Sequence, residues 1–166
     1  MFLSPCLILI CYQKSTIVRT AIATGHPFPV YCQTTVGLLE LEIHPAWAPW
    51  GVERFTKLIG DGYFTNTPFF RAIPDFLVQF GISLDEDKAK RWRERPSIPD
   101  DKEEDKPLTQ GFKRGMISFA GSAENSRTTQ LFIAFSDNDN LGKEPWESPI
   151  GLVIGDGMER LEKITM

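Results

Sequence analysis

The stretch FFRAIPDFLVQFG, residues 69–81, sets one arginine and one glutamine among apolar residues at alternating spacing. Phe69, Arg71 and Ile73 share one parity before Pro74, and Phe76, Val78 and Phe80 share the other after it. Alternation of this kind belongs to a strand with one face in an apolar environment, and a proline within it points to a sheet edge or an interruption. A cation flanked by phenylalanine and alanine then lies at the border of an apolar pocket rather than on a plain solvated face. Gln79 carries a similar message, because an amide inside an apolar strand is costly unless it finds partners.

Alternating runs recur on both sides of this segment. VYCQTT (30–35) and LLELEIH (38–44) flank a Val36-Gly37 turn, with Leu39, Leu41 and Ile43 set against Glu40 and Glu42, which is the pattern of a β-hairpin. GMISFA (115–120), QLFIAF (130–135) and PIGLVI (149–154) read as further short strands. Between the hairpin and residue 69, Val52, Phe55, Leu58 and Ile59 recur at helical spacing, and the helix they predict stops at Gly60-Asp61-Gly62. A second short helix is expected in GMERLEKI (157–164). The charged stretch from Ser83 to Gly111 reads as an exposed loop with a helical turn around Trp92. Many short strands with two clear helices predict a mainly β fold, a closed antiparallel barrel capped by helices.

The 166 residues, 42% apolar and 24% charged, are enough for one core. A formal charge of -4, with scattered lysines and arginines, argues against a nucleic-acid partner. Three cysteines (Cys6, Cys11, Cys32) and two histidines (His26, His44) lack metal-ligand spacing, and their odd cysteine count supports no disulfide scaffold. Cys32 reads as a small apolar strand residue. MFLSPCLILICY (1–12) is apolar but too short to span a bilayer. It fits either a cleaved signal peptide or a leader outside the domain, which leaves the secretory pathway and the cytoplasm both open. The punctuation of residues 24–29 places the division there, with a leader over 1–29 and the folded domain over 30–166.

Taken together these residues resemble the cyclophilins, the barrel-shaped peptidyl-prolyl cis-trans isomerases. The family pattern F-H-R-x-x-P-x-F-x-x-Q-x-G is matched by Phe69, Arg71, Pro74, Phe76, Gln79 and Gly81, with Phe70 in place of the histidine. A second block, a glycine-led strand running through a loop into Q-F-F-I, is matched by GMISFAGSAENSRTTQLFI (115–133). The resemblance covers about residues 30–164 and is to a divergent branch of the family. It implies an eight-stranded barrel and a cofactor-free, metal-free, monomeric enzyme that acts on proline-containing peptides or unfolded proteins. Arg71 would be the catalytic arginine and Gln79 its partner on the substrate backbone. Phe76, Leu77, Phe132 and Leu141 would line the proline pocket, with Gln130, Ala120 and Gly121 bordering the peptide groove.

The chain departs from the family in three places. Asn140 precedes Leu141 where the family has tryptophan, residues 142–149 (GKEPWESP) carry an insertion without the usual pocket histidine, and the chain stops at Met166, before the family's last strand. An open barrel edge is expected from the last of these. Without the resemblance, Arg71 reads as a structural arginine paired with a carboxylate, and Phe76, Leu77 and Phe132 as core. Two functional readings follow: an isomerase, or a non-catalytic module that binds proline-containing peptides.

Overall fold

The computed structural model describes residues 8–101 and 111–164. In chain order the elements are β1 (Ile8–Tyr12), α1 (Ser15–Thr24), β2 (Phe28–Thr34), β3 (Gly37–Ile43), α2 (Pro49–Gly60), β4 (Thr67–Pro68), β5 (Arg71–Ile73), β6 (Leu77–Phe80), α3 (Glu86–Arg93), β7 (Met116–Phe119), β8 (Leu131–Ala134), β9 (Pro149–Ile154) and α4 (Gly157–Glu162). The strands form a single antiparallel sheet in the order β4-β1-β2-β3-β9-β7-β8-β6-β5, curled into a half-barrel. Its two edge strands, β4 and β5, are separated in the chain only by Phe69 and Phe70. The sheet therefore returns on itself through two residues of chain. Both edges are short, two and three residues long, which limits the unpaired backbone they present.

The mainly β, antiparallel, helix-capped architecture agrees with the sequence reading, and the strand count is nine among the described residues rather than eight. One reason is Pro74. Residues 69–81 do not form one strand alternating about a proline; they turn at Pro74 and Asp75 (φ 58°) and come back as the β5–β6 hairpin. The other reason is β1. Residues 8–24, expected to lie in a leader, are here a strand and a helix whose Leu9, Cys11, Val18 and Ala21 belong to the same buried core as the rest of the fold. β1 pairs with β2 on one side and with β4 on the other, so the outer edge of the β2–β3 hairpin is not free. Fully burying a leucine such as Leu9 contributes roughly 1.5–3 kcal/mol.

The cysteines also depart from expectation. Cys11 and Cys32 face each other directly across the β1–β2 ladder and form a disulfide, so Cys32 is a cross-link rather than a simple apolar filler. Cys6 lies outside the described residues.

Three features of the helices position the site. α2 buries Val52, Phe55, Leu58 and Ile59 on the sheet, as its spacing predicts. Ala48 has no side chain able to cap its first turn, and the carboxylate of Asp101 does so instead, accepting from the Trp50 N–H at 2.8 Å and the Gly51 N–H at 3.3 Å. α3 is a full helix rather than one turn, capped by Asp85, with acids in its first turn and bases in its last.

Candidate active site

The β5–β6 register sets Arg71 opposite Gln79 and Ile73 opposite Leu77. Directly opposed residues of an antiparallel pair project to the same side of the sheet, so Arg71 and Gln79 meet. Arg71 Nη1 donates to Gln79 Oε1 at 3.3 Å. Gln79 Nε2 in turn donates to Gln130 Oε1 at 2.9 Å. An arginine can only donate, which fixes the sense of the Gln79 amide and leaves its Nε2 for Gln130. Among the described residues, Nε and Nη2 of Arg71 and Nε2 of Gln130 make no hydrogen bond, so three donors remain along the row.

Gly81 brings the Gln130 end of this row against β6. It has φ 103°, and a Cβ there would lie 2.2 Å from the Thr129 carbonyl oxygen and 2.8 Å from Gln130 Cα. Only glycine permits that conformation together with that approach. The Thr129 hydroxyl donates to the Gly81 carbonyl at 3.0 Å, which places Gln130 beside Gln79.

Beside the row lies a separate apolar cluster. Strands β6, β8 and β7 are neighbours, and one parity of each (Val78, Phe80, Ile133, Leu131, Ile117, Phe119) faces the main core. The opposite parity supplies Leu77, Phe132 and Ala134, which pack with Phe112, Phe76, Met116, Ala120 and Leu141 into a second cluster. Phe76, Leu77, Ala120, Phe132 and Leu141, all expected from the sequence, are thus brought together. Gln79 sits opposite Phe132 in the ladder, so the polar row runs along the margin of this cluster. Gly121 lies outside the cluster, against Trp146; a Cβ on Gly121 would come within 2.6 Å of Trp146 Cδ1. Asn140 is exposed, and Phe70 is exposed while its N–H donates to the Gln79 carbonyl at 3.1 Å.

Three members of the cluster, Phe112, Met116 and Ala134, are not among the sequence candidates. Phe112 is fully buried with its ring 5.4 Å from that of Phe132, held there by reciprocal backbone bonds with Asn138. It emerges from the charged stretch, where no periodicity marks it. Met116 was legible in principle, since alternation in MISF puts Met116 and Ser118 on the side opposite Ile117 and Phe119. Among the described residues no group of three or more His, Cys, Asp or Glu could hold a metal, and no helix is long and apolar enough to cross a membrane.

A curled antiparallel sheet thus carries an arginine–glutamine row beside an apolar cluster. The family model for the cyclophilin type peptidyl-prolyl cis-trans isomerases matches residues 30–166, and the chain belongs to that family. The peptidyl-prolyl cis-trans isomerase cypE of Dictyostelium discoideum is 35% identical over 141 residues, covering 81% of this chain and 83% of that protein. Peptidyl-prolyl cis-trans isomerase-like 3 of Neurospora crassa is 31% identical over 138 residues, covering 81% of each. Among solved structures, the cyclophilin type isomerase of Cryptosporidium parvum superposes with a TM-score of 0.64 at 23% identity over 84% of each chain, a likeness of fold.

Proposed function

We propose that this chain is a peptidyl-prolyl cis-trans isomerase that accelerates X-Pro rotation in peptides and unfolded proteins and thereby assists folding. The observation that carries the reading is the Arg71–Gln79–Gln130 row along the Phe76, Leu77, Phe112, Phe132 cluster. Support comes also from the Cryptosporidium parvum relative, whose crystal structure was determined in the presence of the dipeptide Ala-Pro. Rotation about X-Pro breaks amide resonance and takes tens to hundreds of seconds unaided. As the bond twists, the proline nitrogen pyramidalises and regains a lone pair, to which the free Nη2 or Nε of Arg71 donates. One well-placed donor contributes about 2.7–4 kcal/mol, whereas a rate gain of roughly 10⁵ needs about 7 kcal/mol. The remainder is assigned to the apolar cluster, which fixes the proline ring, and to Gln79 and Gln130, which hold the adjoining backbone.

In this reading no metal or cofactor takes part, and the protein works as a monomer on peptides rather than on nucleic acid. A second reading, a proline-peptide-binding module without fast turnover, is favoured by the exposure of Arg71, whose one described hydrogen bond is a 3.3 Å contact.

The deciding experiment measures exchange of an X-Pro peptide by NMR for wild type and Arg71→Ala. The wild type should accelerate exchange, and Arg71→Ala should lose about 10²–10³ of that acceleration, the size expected for one transition-state donor. A wild type without acceleration refutes the enzyme; a fully active Arg71→Ala refutes the site.

A further inference from the structure

Residues 121–129 join β7 to β8 without regular secondary structure, yet they must deliver Gln130 to Gln79. The three residues before Gln130 are each tied to a different part of the fold. Thr129 bonds the Gly81 carbonyl and receives the Tyr63 hydroxyl at 3.3 Å. The Thr128 carbonyl accepts from Arg54 Nη1 at 3.1 Å. Arg127 is the most unusual, because its side chain is 0% exposed.

Arg127 Nη1 donates at 2.8 Å to Asp101 Oδ2, and the Asp101 side chain is also 0% exposed. Arg127 Nη2 donates to the Pro99 carbonyl, and the Ile98 N–H donates to the Arg127 carbonyl at 2.9 Å. Asp101 is the same carboxylate that caps α2. One buried ion pair thus fastens three things that are distant in sequence: the first turn of α2, the 98–101 segment and the loop that ends in Gln130. Taking two charges out of water is expensive, and a buried pair of this kind often contributes no more stability than an apolar replacement of similar volume. What it does supply is direction, since a planar guanidinium with two acceptors in fixed places admits one arrangement of the loop.

We propose that Arg127, held by Asp101, is a positioning residue for the prolyl-peptide site: it fixes the Gln130 end of the row and so sets where the substrate backbone is gripped. This rests on the isomerase reading for its functional consequence, but its structural core is independent of turnover.

The test is a double-mutant cycle of Arg127→Lys and Gln130→Ala. Lysine keeps the charge beside Asp101 and cannot reach both acceptors, so the variant should still unfold cooperatively. Arg127→Lys should raise KM for an X-Pro peptide and lower kcat/KM about tenfold, within the coupling range of residues in one network, and add nothing to the loss already caused by Gln130→Ala. If the two losses multiply instead, Arg127 is a structural residue and the proposal falls. The Gln130 side-chain amide is observed by ¹⁵N NMR in the same proteins without peptide. It should shift in Arg127→Lys, and an unmoved resonance overturns the proposal whatever the activity. Should Arg127→Lys not fold, the same two measurements are made on Asp101→Asn, which keeps the shape of the acceptor and removes its charge. A wild type that neither turns over nor binds the peptide, with the Gln130 amide shifting as expected, refutes the isomerase reading and leaves the positioning of Gln130 supported.

Discussion

Reduction of the Cys11–Cys32 bridge should weaken this fold by an amount that can be worked out in advance. The bridge joins residues 21 apart, and closing a loop of that length in the unfolded chain removes entropy of about 2.1 + 1.5R ln n cal/mol/K. With n near 21 this is roughly 11 cal/mol/K, or about 3.3 kcal/mol at 25 °C. For a chain of this size each kcal/mol moves Tm by about 2–4 °C, so the reduced protein should melt roughly 7–13 °C lower. The consequence should also reach the site. β4 has no ladder partner among the described residues other than β1, and only Phe69 and Phe70 separate β4 from Arg71. The assay is urea unfolding followed by circular dichroism, oxidised against dithiol-reduced and against Cys11→Ser/Cys32→Ser. Coincident midpoints for the oxidised and reduced proteins would refute the reasoning, since the ladders and packing of β1 would then hold it without help from the bridge.

Two further outcomes follow from the geometry. Gly81→Ala forces a side chain into a left-handed backbone against the Thr129 carbonyl, and should cost about 3 kcal/mol or more in urea unfolding, with kcat/KM falling as Gln130 moves; a loss under about 1 kcal/mol would contradict the contact. Asp61 accepts from the Trp92 indole N–H at 2.8 Å and from Arg91 at 3.3 Å, and the indole bond first, then the arginine, holds its carboxyl below the ordinary carboxylate value despite partial desolvation. A depressed folded-state pKa means the stabilisation is present above the unfolded value near 3.8 and is lost as pH falls through the lowered one. Asp61→Asn should therefore be less stable than wild type at pH 7, with the gap closing below pH about 4, as measured by melting across pH.

Much of the candidate site is legible because it is built from local patterns. Alternation within 69–81, 115–120 and 130–135 sorts each residue to a face, and the family spacing then joins Arg71, Gln79 and Gln130 into one row. What stayed hidden depends on pairings across the chain. In the sequence Pro74 reads as an interruption within a strand, whereas the hairpin that turns there is what makes Arg71 and Gln79 neighbours. Cys11 and Cys32 carry no spacing signal; only the β1–β2 register sets them face to face. Asp101 caps a helix that begins 52 residues earlier, and Arg127 looks like a solvated loop arginine until Asp101 and Pro99 close around it. Phe112, in a charged stretch, joins the second apolar cluster through its backbone bridge to Asn138.

The two-sidedness of β6, β7 and β8 has a consequence for how this protein tolerates change. Neighbouring positions such as Leu77 and Val78, or Phe132 and Ile133, answer to different demands, because they pack into two different apolar clusters on opposite faces of the sheet. Along these strands substitution at alternate sites repacks one cluster while the interleaved sites keep their own neighbours, so the two faces of the sheet can change largely independently of each other.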